Sequence, residues 1–200
     1  MRDDILREFA LGQPLRQKQI DGLVGQGIPP LWLARTFSGT YAFLNYDRVV
    51  MLGDRFEFAR NLPDGDGVGA FTLLLFDADG DPADIMAWRP PEFALWLGGV
   101  SCLGEEQVLG PRLADPLPVR TSVIDWLRAR REGIMILDHA QAAHLLRNET
   151  LGVLTPAHEN DLRAKLTLPG RRSSSSVKRS ARLERQLHFR RGRCAIRIFV

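Results

Sequence analysis

Two apolar runs, FTLLLF and IMAW, flank the cluster DADGDPAD in the middle of this 200-residue sequence. Apolar runs of that length on either side of Asp, Gly and Pro form a β-hairpin. Residues 70–90 therefore predict two antiparallel strands, and the rest of the chain has to be arranged around them. Upstream, 3–11, 15–24 and 30–37 read as short amphipathic helices. The first is stopped by Gly12, and the second by Gly25, Gly27 and the Pro29-Pro30 pair. Residues 40–46 and 48–52 read as strands joined by a turn at Asn45–Asp47, and the alternation of RFEFAR (55–60) reads as a half-buried strand. Residues 93–104 add a third strand after the hairpin. Pro-rich LADPLPV (113–119) reads as a loop. Beyond it come helix 123–132, strand 133–138, helix 139–148, strand 151–156 and helix 157–166, with Asp138 and Thr155 at N-cap positions. Alternating short strands and helices predict a small parallel sheet. The fold class is α+β: N-terminal helices and short antiparallel strands with a hairpin, then a β-α-β-α-β-α unit.

Charge divides the chain into three blocks. Residues 1–62 carry 8 basic and 7 acidic side chains, 63–169 carry 9 and 16, and 170–200 carry 10 and 1. The formal net charge of +3 is therefore the sum of a body at −7, a near-neutral start and an end at +9. These blocks are the expected organisation: a helical and strand start, an α/β body (63–169) that could form one domain with 1–62, and an end of distinct composition. NLPDGDGVG (61–69) is the connector between the first two, and the last is a basic Arg/Ser-rich tail whose four consecutive Ser predict disorder at its start. No apolar run approaches the roughly 20 residues that span a bilayer, and the start of the chain lacks the apolar core of a signal peptide. The expectation is a cytoplasmic protein without a membrane partner. Cys102 and Cys194 belong to no CxxC pair. Arg supplies 24 of the 27 basic residues, as in chains encoded by high-GC bacterial genomes.

Three places could carry chemistry. Asp77, Asp79 and Asp81 alternate in DADGD and could hold a hard cation, although the EF-hand register fails: position 12 counted from Asp77 is Trp88. The same string, LLLFDADG, resembles the first motif of the haloacid-dehalogenase phosphotransferases. That resemblance makes Asp77 the nucleophile and Asp79 the acid/base. It covers about eight residues, and Asp81 stands where the family has Thr or Val. A hairpin turn explains the same residues by turn chemistry alone. In GDGVG (65–69), spaced glycines precede a strand rather than a helix, which suits a connector better than a phosphate cradle. Asp138, Thr155 and His158 would lie at the C-terminal ends of neighbouring parallel strands, where ligand sites of open α/β sheets form. Helices 15–24 and 30–37 have helix-turn-helix lengths. The second offers only Arg35 and Thr36 toward DNA.

The basic end has three readings. Arg171, Arg172, Lys178, Arg179, Arg182, Arg190 and Arg191 could neutralise nucleic-acid phosphates. They could form a solvated tail. The segment could also be text from a shifted frame of GC-rich DNA. In texture, residues 70–168 resemble uncharacterised proteins of high-GC proteobacteria of the kind carried on integrated elements. No functional residue is carried over from them. No cofactor motif and no nucleophile–base pair is found. The functional expectation is an accessory or interaction protein binding nucleic acid weakly through its tail. The alternatives are a metal-dependent or small-molecule enzyme using the hairpin acids or the strand ends, and a winged-helix DNA binder.

Overall fold

A computed structural model describes residues 2–33, 36–37, 41–63, 65–110, 116–147, 149–153, 155–166 and 194–197. The chain is α+β. Helices α1 (Arg2–Ala10), α2 (Gln17–Gly25) and α3 (Pro30–Leu33) come first, followed by the short strands β1 (Thr36–Phe37) and β2 (Tyr41–Ala42), which pair with each other. Next come β3 (Leu44–Leu52), β4 (Arg55–Phe58), β5 (Val68–Phe76), β6 (Pro82–Arg89) and β7 (Glu92–Leu95). These five close into a barrel in the order β3-β4-β7-β6-β5. All barrel pairs are antiparallel except β4 with β7, which meet at Arg55↔Leu95.

The hairpin of the sequence reading is β5–β6, and the barrel explains its continuous apolar text. Leu74, Phe76, Ile85 and Ala87 pack with Phe56, Phe58, Ala94 and the α1 side chains Ile5 and Phe9. Leu73, Leu75, Met86 and Trp88 pack on the opposite face with α2 and one later helix, through Leu23, Trp126 and Leu127. Burial on both faces removes the polar alternation of a one-sided strand. Gly69 lies directly under the Tyr46 ring, where a Cβ would overlap the Tyr46 hydroxyl. Close strand packing accounts for this glycine of GDGVG.

The turn expected at Asn45–Asp47 does not form. β3 runs through it because its polar residues anchor α1. Asn45 is buried and its Nδ2 donates to the Phe9 carbonyl at 2.9 Å, while Tyr46 exchanges main-chain bonds with Gln13. Barrel strands come from both sides of residue 62, so the first two blocks both contribute to the barrel. The third helix is one turn long, and Thr36–Phe37 is strand. The described residues therefore supply no recognition helix of the expected length. Arg35 lies outside the described residues.

The second half contains β8 (Cys102–Leu103), α4 (Glu106–Leu109), β9 (Leu117–Pro118), α5 (Val123–Arg128), β10 (Met135–Ile136), α6 (His139–Leu145), β11 (Thr150–Val153), α7 (Pro156–Leu166) and β12 (Cys194–Arg197). The expected helices α5, α6 and α7 and the strands β10 and β11 are all present. The expected direct pairing of β10 with β11 is not. Pro-rich 113–119, expected as a loop, contributes β9, which pairs parallel to β11 and continues to a parallel bridge between Val119 and Ile134. Leu117 and Val119 are core residues, and this burial outweighs the loop-like composition. Gly133 (φ 87) permits the approach, since a Cβ there would overlap the Pro118 carbonyl. β10 pairs antiparallel to β8, and β12 antiparallel to β11, so the parallel unit is flanked by antiparallel strands.

Candidate functional site

Asp77, Asp79 and Asp81 sit in the β5–β6 turn. Asp77 Oδ1 accepts the main-chain N–H of Asp79 at 3.1 Å and of Asp81 at 2.9 Å, and the Asp77 N–H donates to the Asp81 carbonyl. Gly80 (φ 83) closes the turn, and Asp81 pairs with Arg2. Asp77 is an Asx-turn residue whose oxygen is committed to the backbone. Among the described residues, no group of three His, Cys, Asp or Glu side chains is arranged to hold a metal ion. The phosphotransferase resemblance does not survive the topology. That chemistry sits at the end of a parallel strand in an α/β sheet, whereas β5 and β6 are antiparallel neighbours in a barrel.

Asp84 behaves differently from the turn acids. The β5–β6 register pairs Leu75 with Asp84 and Phe76 with Pro82, leaving Ala83 as an extra residue. This bulge helps place Asp84 at 0 % exposure. Oδ1 accepts the N–H groups of Ile85 (2.7 Å) and Leu97 (2.9 Å), and Oδ2 accepts those of Gly98 (2.5 Å) and Gly99 (3.0 Å). One carboxylate thus saturates the chain reversal after β7. Glu105 has a similar part: its Oε2 accepts the Ser101 N–H and hydroxyl, both at 2.8 Å, and the Cys102 N–H at 3.2 Å. Cys102 is buried, and desolvation pushes its thiol up to about 12. At Glu106, the residue after Glu105, burial raises the carboxyl above its ordinary range, and the Arg131 guanidinium partly offsets this.

The strand-end candidates are caps. Asp138 Oδ1 accepts the N–H groups of Ala140 (2.8 Å) and Gln141 (3.1 Å), and Thr155 Oγ1 accepts the His158 N–H at 3.2 Å. Both are the N-caps the sequence predicts. With β9 between β10 and β11, Asp138 does not stand on a strand adjacent to Thr155 and His158, and the expected site at neighbouring strand ends is not assembled. His158 Nδ1 is buried without a hydrogen-bond partner among the described residues. His139, beside Asp138, is held below its ordinary value by desolvation first and then by Lys165.

Sequence reasoning missed the polar residues that organise the structure. Arg60 Nη2 donates to the Glu8 carbonyl (2.8 Å) and carboxylate (2.9 Å), Nη1 donates to Asp47, and the guanidinium lies 3.8 Å from the Phe58 ring centroid. Arg131 stacks 3.7 Å from the Phe43 centroid, and Gln107 closes a two-way amide bond with Gly133. Arg130 and Arg131 both have positive φ, 59° and 65°. The Arg60–Glu8 bonds span 52 positions and the Arg131–Phe43 stacking more, and no local pattern announces them.

Arg171, Arg172, Lys178, Arg179, Arg182, Arg190 and Arg191 lie outside the described residues. The chain matches no protein-family model, and no curated protein or solved structure is significantly similar to it.

Proposed function

We propose that the chain is a non-enzymatic cytoplasmic accessory protein that works by binding. Its body contacts protein partners or a small ligand, and its Arg-rich end holds nucleic acid weakly and without sequence preference. The observation that supports this reading is the use made of the candidate acids. Asp77 Oδ1, Glu105 Oε2, Asp138 Oδ1 and both Asp84 oxygens accept main-chain N–H groups, so these oxygens hold turns and caps. The charge division adds to it. Residues 63–169 at −7 repel phosphates, and 170–200 at +9 attract them. No helix among the described residues is long and apolar enough to cross a membrane.

The test compares the full chain with a full-length variant carrying Gln at 171, 172, 178, 179, 182, 190 and 191, which leaves 194–197 intact. Binding to DNA and RNA is followed across a salt series. Contact of all seven cations with phosphates would make the slope of log affinity against log salt shallower by about 6 in the variant. Equal affinity and equal slope for the two chains would remove the Arg-rich end from the argument.

A further inference from the structure

The barrel closes between β4 and β7 at the pair Arg55↔Leu95. Phe56 and Phe58 belong to the inner cluster, so Arg55 and Glu57 alternate to the outer face. Arg55 stands between two exposed apolar side chains. Leu52, its cross-strand partner on β3, is 56 % exposed, and Leu97, just beyond β7, is 43 % exposed. The Arg55 guanidinium reaches over Gly98, where a Cβ would overlap it. That close approach and the φ of 72° both require glycine there.

Arg55 is half-buried, and its Nη1 is buried without a hydrogen-bond partner among the described residues. Its Nε and Nη2 likewise have no partner among those residues, and neither of them is buried. Asp54 and Glu57, its near neighbours in sequence, form no ion pair with it. Asp84, behind the 97–99 turn, is already shared among four main-chain N–H groups. A guanidinium is always charged and carries five donors in a planar fork, so a half-buried one without an acceptor calls for a physical reason. With Nη1 lodged against the turn, the Nε–Nη2 edge is the side that a ligand meets. Two parallel N–H groups on that edge match the two oxygens of a carboxylate. Leu52 and Leu97 offer apolar contact on either side.

We propose that Arg55 anchors a carboxylate-binding site at the barrel seam, and that its ligand is a carboxylate carried on an apolar body. The fork receives the carboxylate, and Leu52 and Leu97 receive the apolar part. Packing over Gly98 fixes the fork before the ligand arrives, which lowers the ordering cost of binding. This site gives a chemistry to the ligand contact of the body and rests on that part of the proposed function. Its failure leaves the salt-series test of the Arg-rich end untouched.

The test titrates sodium hexanoate into the nitrogen-15-labelled full chain at constant ionic strength. It follows the Arg55 Nε–H signal and the Gly98 and Gly99 amides by NMR. Saturable shifts are expected, with a dissociation constant on the order of millimolar for so small a ligand. Hexanamide has the same apolar body without the charge and is expected to bind at least about tenfold more weakly. Arg55→Lys keeps the charge and loses the fork, and should weaken hexanoate by about tenfold. Acetyl-Gly-Gly-Leu with a free carboxylate separates the two sources of this chemistry. Tighter binding than hexanoate points to the end of a polypeptide, and equal or weaker binding points to a small organic acid. Absence of saturable shifts at Arg55 and Gly98, equal binding of hexanamide, or undiminished binding in Arg55→Lys each overturns the site. The first two are read on the unaltered chain and do not depend on the variant folding.

Discussion

Replacing Asp84 with Asn tests whether this buried carboxylate holds the barrel's last turn. Its two oxygens accept four main-chain N–H groups, two each. Asn has the same shape but only one acceptor oxygen. With that oxygen facing one pair of donors, its amide N–H₂ faces the other pair. Two N–H groups then lose their acceptor, at about 1–3 kcal/mol each where water does not reach. The remaining two bonds fall from charged to neutral strength. The donors at 97–99 are partly solvent-accessible, which favours the lower end of the range. The expected loss is about 3 kcal/mol, or a Tm lower by roughly 6–12 °C for a chain of this size. Urea unfolding followed by tryptophan fluorescence reads the effect, with Trp88 and Trp96, in and just after the barrel strands, contributing to the signal. Asp79→Asn, at an exposed position in the neighbouring turn, should stay within about 0.5 kcal/mol of the parent. The reasoning is refuted if Asp84→Asn lies within about 1 kcal/mol of the parent, or if Asp79→Asn is as damaging.

Other outcomes follow from the same geometry. Arg60→Ala removes the fork joining α1 to β3 and should cost about 2–4 kcal/mol in chemical denaturation. Arg60→Lys keeps the charge without the fork and should recover only part of it. Arg130 is exposed with φ 59, so Arg130→Gly should stabilise the chain by about 0.5–1 kcal/mol. A fall in Tm would show that the Arg130 side chain makes a stabilising contact. Cys102 should resist a thiol reagent at pH 8 until denaturant is added. Its thiol rises from an ordinary value of 9.0 to about 12 on folding. The stability gained by keeping it neutral is therefore present below pH 9 and lost as pH climbs toward 12. Cys102→Ala should flatten that alkaline decline in a pH series of melts.

The features legible in the sequence were those set by neighbours in the chain. The β5–β6 hairpin followed from its Asp/Gly cluster, α1 and α2 from periodicity with Gly and Pro stops, and Asp138 and Thr155 from their places before α6 and α7. Each depends on contacts within a few residues, where composition and spacing carry the physics. Closure of five strands into a barrel did not show. It requires Val49 to meet Val68 and Arg55 to meet Leu95, and neither alternation nor turn chemistry specifies which strand edges join. The same holds for Asn45, turn-like in sequence but drawn into β3 by the Phe9 carbonyl, and for Leu117 and Pro118, loop-like in sequence but drawn into a sheet between β10 and β11. Asp84 is the clearest case. Its charge and its place beside three other acids suggest a solvated turn, yet a one-residue bulge sets it against four backbone donors. Local preferences are worth a few tenths of a kcal/mol per residue, while burying a side chain or orphaning a buried donor is worth one to several. Where the two conflict, long-range burial prevails, and its partners cannot be read from neighbouring residues.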